Sequence, residues 1–269
     1  MRLLVTTVLC AVCISCPAVA GETAWQEIAP EVSARLISAG AVDGDGTVAM
    51  AIEIDMPAAT KTYWRVPGES GLPIDIDLSG SKGVSDVRVH WPYPERELKD
   101  GYLDHVYYGH TVLPLKIETI DPGGLVDLKV TLGICSEICI PARAHFSLPL
   151  KDALPDHPNA LRIRQAMAEV PIAWKGQPNP VGVVTLLPNA EAIGVMIDAD
   201  AVEADSVIVS GDAGGPLFGA PQKSPQSNLV VLPILGKTDN SALEGLSVEV
   251  TFLTDLGAYV VNRTIESGE

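Results

Sequence analysis

Two cysteines, Cys135 and Cys139, stand four positions apart in Gly133-Ile134-Cys135-Ser136-Glu137-Ile138-Cys139-Ile140-Pro141. A disulfide closing so short a ring stabilises a fold by only about 2 kcal/mol, against roughly 4.7 kcal/mol for a 100-residue loop. Bracing distant parts of the chain is therefore a poor use for the pair, and making and breaking a bond with a partner is a better one. Exchange requires a thiolate to approach in line with the sulfur–sulfur bond, which demands an accessible edge rather than a sealed core. Two other uses stay open. The pair can be an inert disulfide, or it can hold Cu(I), whose softness suits thiolates, with His145 as a third ligand. Zinc wants four ligands, and no second cysteine pair or histidine cluster supplies them.

The other three cysteines, Cys10, Cys13 and Cys16, lie in a segment that reads as an export signal. Arg2 is its positive start, Leu3 to Ile14 its apolar run, and Ala18-Val19-Ala20 a small-residue cleavage site before Gly21. Lipid attachment at Cys16 is a weaker alternative, because Cys13 stands where such a signal wants an aliphatic residue. Export places the mature chain in an oxidising, periplasmic compartment where a disulfide persists. No later apolar run is long enough to span a bilayer as a helix. Lys and Arg number 18 against 34 Asp and Glu, a formal net charge of −16 that becomes one unit more negative with the loss of Arg2. Such a chain is repelled by nucleic acid and by anionic lipid.

The elements that must position the pair are strands. Apolar residues alternate at Val48, Met50, Ile52, Ile54; at Leu72, Ile74, Ile76, Leu78; and at Val87, Val89, Trp91. The pattern recurs at Leu113, Leu115, Ile117; at Leu128, Val130, Leu132; and at Ala144, Phe146, Leu148, Leu150. Turn clusters separate them, among them Asp43-Gly44-Asp45-Gly46 and Asp121-Pro122-Gly123-Gly124. Seven or eight short strands over about 120 residues describe an antiparallel immunoglobulin-like sandwich. One helix is expected, capped by Asp156, with Pro158 in its first turn and Pro171 as its stop. Alternation resumes at Ile193 and continues to Val261, which reads as a second, smaller sandwich. The expectation is an all-β chain of two immunoglobulin-like domains: a signal at 1–20, a first domain at 21–152, a linker with a short helix at 153–180, and a second domain at 181–269.

Cys135 and Cys139 fall at a strand-to-strand turn, where flanking side chains approach to disulfide distance. Pro141, lacking an amide hydrogen, suits a sheet margin. In that setting Thr62-Tyr63-Trp64-Arg65, Pro67-Gly68-Glu69-Ser70-Gly71-Leu72-Pro73, Trp91-Pro92-Tyr93-Pro94, Val112-Leu113-Pro114-Leu115 and the cysteine segment, in this order, resemble the periplasmic amino-terminal domain of the thiol:disulfide interchange reductase DsbD. The resemblance covers roughly residues 25 to 150. It is nearer to the variant in the copper-sensitivity suppressor ScsB proteins, whose amino-terminal region is similar in having two sandwich domains.

The resemblance implies a component of a protein-disulfide reductase. It would take electrons from a thioredoxin-like domain or membrane thiol carrier, pass them to disulfides of periplasmic client proteins, and need no cofactor. It implies that Cys139 forms the mixed disulfide and Cys135 resolves it. By position it also places Tyr102 as an aromatic cap and Trp64, Tyr107 and Tyr108 beside the cysteines, although aromatics on alternating strands ordinarily fill a core. Three departures stand out. The best-known members have five residues between the cysteines where this chain has three. They cap the pair with a loop Phe, where the stretch from Glu97 to His105 offers only Tyr102. A membrane conduit and a thioredoxin-like Cys-x-x-Cys would have to come from other polypeptides.

Two further motifs do not develop into sites. Gly211-Asp212-Ala213-Gly214-Gly215-Pro216 resembles a serine-protease nucleophile segment, but Ala213 has no hydroxyl to acylate. Asp43-Gly44-Asp45-Gly46 lacks the ligands of a calcium loop and reads as a turn.

Overall fold

The computed structural model describes residues 21–268 except 41, 151–152, 189–190, 212–214, 223 and 237–239. Residues 1–20, expected to be an export signal, and the Ala213 position lie outside the described residues.

The first half of the chain forms β1 (Gln26–Ala29), β2 (Val32–Ser38), β3 (Thr47–Asp55), β4 (Lys61–Gly68), β5 (Asp75–Asp77), β6 (Val84–Val89), β7 (Glu95–Lys99), β8 (Tyr102–Tyr108), β9 (Thr111–Thr119), β10 (Leu125–Cys135) and β11 (Cys139–Pro149). One sheet has the order β1-β2-β3-β9-β6 and the other β11-β10-β4-β8-β7, with β5 beside β10. All their pairings are antiparallel. The inward residues of the alternating runs meet between the sheets: Met50, Ile52, Leu113 and Leu115 from one, Val126, Leu128, Val130 and Phe146 from the other. This is the immunoglobulin-like fold that the period-two patterning predicts.

Several strands are shorter than the alternation suggests, or have none to show. The run from Leu72 to Leu78 yields only three paired residues, and β6 stops before Trp91. The stretch from Glu97 to His105, expected as a loop, is the hairpin β7–β8. It turns at Asp100 (φ 53°) and Gly101 (φ 86°), with Lys99 opposite Tyr102. Two central residues at positive φ define the tight hairpin turn for which Asp-Gly is a strong signal, masked here by the polar sequence on either side.

The helix α1 (His157–Ala168) begins where expected. The Asp156 side chain accepts from the Asn159 amide, Pro158 sits in the first turn, and the helix ends at Glu169. Its Ile163 packs on Ile37 and Ala51, the outer face of the first sheet.

Beyond it lie β12 (Ile172–Ala173), β13 (Val181–Leu186), β14 (Ala192–Ile197), β15 (Ile208–Ser210), β16 (Leu217–Phe218), β17 (Leu229–Leu235), β18 (Ser247–Thr254) and β19 (Gly257–Ser267). Strand β19 pairs antiparallel with β18 and, further along, parallel with β13. Strand β17 passes from β14 to β16. These two strands close the pairing into a ring, so the second half is a barrel-like sandwich around Val184, Val195, Val230, Val250 and Phe252.

The two halves touch through named polar contacts. Arg96 donates from its guanidinium to the carbonyls of Asp205 (2.5 Å) and Val207 (2.8 Å), the Tyr93 hydroxyl donates to the Ser206 carbonyl (2.5 Å), and Arg65 bonds Ser210 (2.9 Å) and pairs with Glu249 (2.6 Å). Arg96→Ala leaves two carbonyls without their donor, at about 1–3 kcal/mol. The expected outcome is a loss of about 2 kcal/mol in denaturant unfolding of the whole chain, with faster proteolysis between residues 169 and 180.

Candidate functional site

The hairpin β10–β11 brings the cysteines together. Its register runs without a slip from Leu125 opposite Pro149 to Cys135 opposite Cys139, leaving Ser136, Glu137 and Ile138 as the turn. The two form a disulfide with Cα atoms 4.0 Å apart. Their environments differ: Cys135 is buried at 7 % exposure, whereas Cys139 and the turn are exposed. Strand β11 ends its sheet, so Pro141 sits at a margin, as its missing amide hydrogen suggests.

Strand parity decides what surrounds the sulfurs. Lys61 is paired in register with both Cys135 and Tyr108, and Tyr63 with Val106. Lys61, Tyr63, Val106, Tyr108 and Cys135 therefore share one face of the sheet, and Thr62, Trp64 and Tyr107 take the other. On the cysteine face Tyr63, Val106 and Cys135 pack together, with Tyr108 against them. The Tyr63 hydroxyl lies 3.5 Å from the Cys139 sulfur. Gly133 makes that reach possible, because a Cβ there would stand 2.8 Å from the Tyr63 ring.

Beside the tyrosine lies a charged network. Lys61 Nζ contacts the Glu97 carboxylate and stands 3.4 Å from Asp104 Oδ2, and the Tyr108 hydroxyl donates to Glu97. Asp104 also accepts from the Ser70 amide (3.0 Å) and hydroxyl (2.5 Å). Burial opposes the Lys61 charge, but the hydrogen bond to Glu97, the neighbouring Tyr63 and the charges of Glu97 and Asp104 outweigh it and hold its pKa above the ordinary lysine value. Burial likewise opposes Glu97, and the hydrogen bonds from Lys61 and Tyr108 outweigh it, so its carboxyl titrates below the usual range. Burial raises the Tyr63 phenol, and burial together with the Glu97 carboxylate raises Tyr108. A cavity of about 220 Å³ joins Lys61, Glu97, Asp104 and Tyr108 to both cysteines and to the β7–β8 turn.

Of the residues singled out in the sequence, Tyr102 and Tyr108 line this cavity, Tyr102 at 56 % exposure on the hairpin tip. Trp64 and Tyr107 do not. Trp64 is 1 % exposed in the sandwich core, edge-on to His105 and under the Arg65 guanidinium. Tyr107 is in the same core, its hydroxyl on the Pro92 carbonyl. His145 is also elsewhere: it bonds Asp127 at 2.9 Å and lies six positions along β11 from Cys139, about 20 Å at the usual strand rise. The ligand set of Cys135, Cys139 and His145 is thus not assembled. Asp43 to Gly46 form the turn between β2 and β3, with Gly46 bonded back to Asp43. Sequence reading passed over Tyr63, Lys61, Glu97 and Asp104. The signal for the first two was parity, since Lys61 and Tyr63 alternate with Trp64.

The site is thus a hairpin disulfide with one buried and one exposed cysteine, on the outer face of an immunoglobulin-like sandwich. Residues 26–151 match the family model described as thiol:disulfide interchange protein DsbD, N-terminal. The crystal structure of the N-terminal periplasmic domain of ScsB from Proteus mirabilis superposes with a TM-score of 0.74 at 21% identity, over 92% of this chain and 99% of that one. The shared fold therefore extends through both halves. Titin immunoglobulin tandem domains match over 88% of this chain and 98% of theirs at 8% identity, with a TM-score of only 0.17. No curated protein sequence matches the chain. Among the described residues no helix is long and apolar enough to cross a membrane.

Proposed function

We propose that the protein is an exported, periplasmic thiol–disulfide exchange module, with residues 21–152 as its redox domain and residues 181–269 as a second domain across the linker. The observation that carries this reading is the unequal burial of the linked cysteines, Cys139 exposed and Cys135 buried. A thiolate of the electron donor, a thioredoxin-like domain or membrane thiol carrier, attacks the Cys139 sulfur. The Cys135–Cys139 bond breaks and Cys135 leaves as the thiolate. The donor's second thiolate then attacks its own sulfur in the mixed disulfide, so the donor departs oxidised and this domain keeps two electrons as a dithiol. Cys139 next attacks a client disulfide, and Cys135 resolves the adduct, which returns the domain to its oxidised form and the client to its dithiol. Tyr102, exposed on the β7–β8 tip over the cavity, acts as the cover that a docking partner displaces.

Cys135→Ala removes the resolving sulfur. Purified from its native host, this variant is expected to carry partner proteins bound through Cys139 and released by reductant, and Cys139→Ala to carry none. An absence of adducts under conditions that trap other thiol carriers overturns the reading. Loss of bound copper without any adduct would instead favour a Cu(I)-holding module.

A further inference from the structure

The exchange reading leaves open how Cys139 ionises at the edge of a sheet, with no helix amino terminus to favour a thiolate. The charged groups around the cavity do not help. They are Lys61 from β4, Glu97 and Lys99 from β7, Asp100 from the turn, Asp104 from β8 and Glu137 from the cysteine loop, two ammoniums against four carboxylates. Lys61, the cation beside the site, is committed to Glu97 and Asp104. The net field opposes a new negative charge on sulfur.

One neutral group points the other way. The Tyr63 hydroxyl lies 3.5 Å from the Cys139 sulfur, and because a disulfide sulfur has no hydrogen, the hydroxyl is the donor. The ring is held from three sides: it lies against Gly133, packs on Val106, and has Lys61 Nζ 5.5 Å from its centroid. We propose that Tyr63 is a catalytic residue of the exchange reaction, its hydroxyl donating to the Cys139 thiolate and so setting the pH at which that sulfur becomes a nucleophile. The inference rests on the exchange reading and names the group that makes it work near neutral pH. Burial keeps the phenol protonated through the range in which a thiol titrates, so the donor is present when needed. When Cys139 loses its proton to solvent, the thiolate accepts from Tyr63. As it attacks a client disulfide, a Cys139–client bond forms, the client bond breaks, and the hydroxyl is freed as charge moves to the leaving sulfur.

The test is Tyr63→Phe, which removes one oxygen and keeps the ring. Losing a hydrogen bond to a charged sulfur is expected to raise the Cys139 midpoint by about one pH unit. The probe is oxidised glutathione, reacted across pH with reduced protein carrying Cys135→Ala, so that the Cys139–glutathione adduct persists and is identified by mass. Nucleophilicity rises with pKa at a Brønsted slope of about 0.4–0.5. The variant should therefore react about threefold more slowly at pH 7 and about threefold faster well above the midpoint, so the two profiles cross. A general loss of packing would lower the rate at every pH and give no crossing. Gly133→Ala, which keeps the hydroxyl but pushes the ring aside, should move the midpoint in the same direction. Superimposed or uniformly scaled profiles for both variants overturn the role of Tyr63. Because the readout is one sulfur's titration, it is separable from partner trapping: unmoved midpoints with Cys135→Ala adducts intact reject Tyr63 alone, and absent adducts reject the exchange function.

Discussion

Lys61→Ala is expected to destabilise the protein by about 3 kcal/mol at neutral pH, among the largest single-residue effects in the first sandwich. The Lys61 side chain is 9% exposed and pairs with Glu97 and Asp104, the latter 5% exposed. Removing one member of a buried charge cluster leaves the others uncompensated, which costs about 3–5 kcal/mol. The sign of the pH dependence follows from the shifts. Glu97 is depressed below its ordinary value of 4.5, so its contribution is present above that pH and is lost as pH falls through the folded value. Lys61 is raised above 10.5, so its contribution is present below that pH and fades as pH rises through the folded value. The difference between wild type and variant should be largest between these limits and should shrink below about pH 4.5, as the stranded Glu97 carboxylate takes up a proton. Denaturant unfolding at pH 7 and pH 3.5 measures it. A gap that is unchanged or wider in acid would show that Lys61 acts through packing of its stem and not through its charge.

Trp64→Ala is expected to cost about 3–5 kcal/mol, the usual toll of emptying a large aromatic site in a core, and to leave the pH midpoint of Cys139 where it was. Trp64 belongs to the cluster between the sheets, while the cysteines, Tyr63 and Lys61 occupy the opposite face of the same strand pair. The two variants Trp64→Ala and Tyr63→Phe thus separate stability from chemistry at adjacent positions of β4. A shifted Cys139 midpoint in Trp64→Ala, measured at a temperature where the variant remains folded, would contradict this division of faces.

Much of the framework is legible in the chain. Strands β3, β9, β10 and β11 carry uninterrupted alternation because one face of each is in the core, and burial selects for it. The helix announces itself through Asp156, Pro158 and Pro171 because capping is local chemistry. Strands β7 and β8 were hidden for the opposite reason. Their outward positions hold Glu97, Asp104 and Tyr108, which face the cysteine cavity, so polar residues stand where a core-facing pattern was sought. The ring closure of the second half is also invisible along the chain, since it depends on β17 and β19 each serving two neighbours.

The sequence by itself determined the local element, two cysteines facing each other across a three-residue turn between two strands, since hairpin geometry is set over a few residues. Only tertiary structure decided which groups those sulfurs meet. Lys61, Tyr63, Glu97 and Asp104 come from three strands far from the cysteines in sequence, and their convergence follows from the pairing of β4 with β10 and of β7 with β8, which no local spacing encodes.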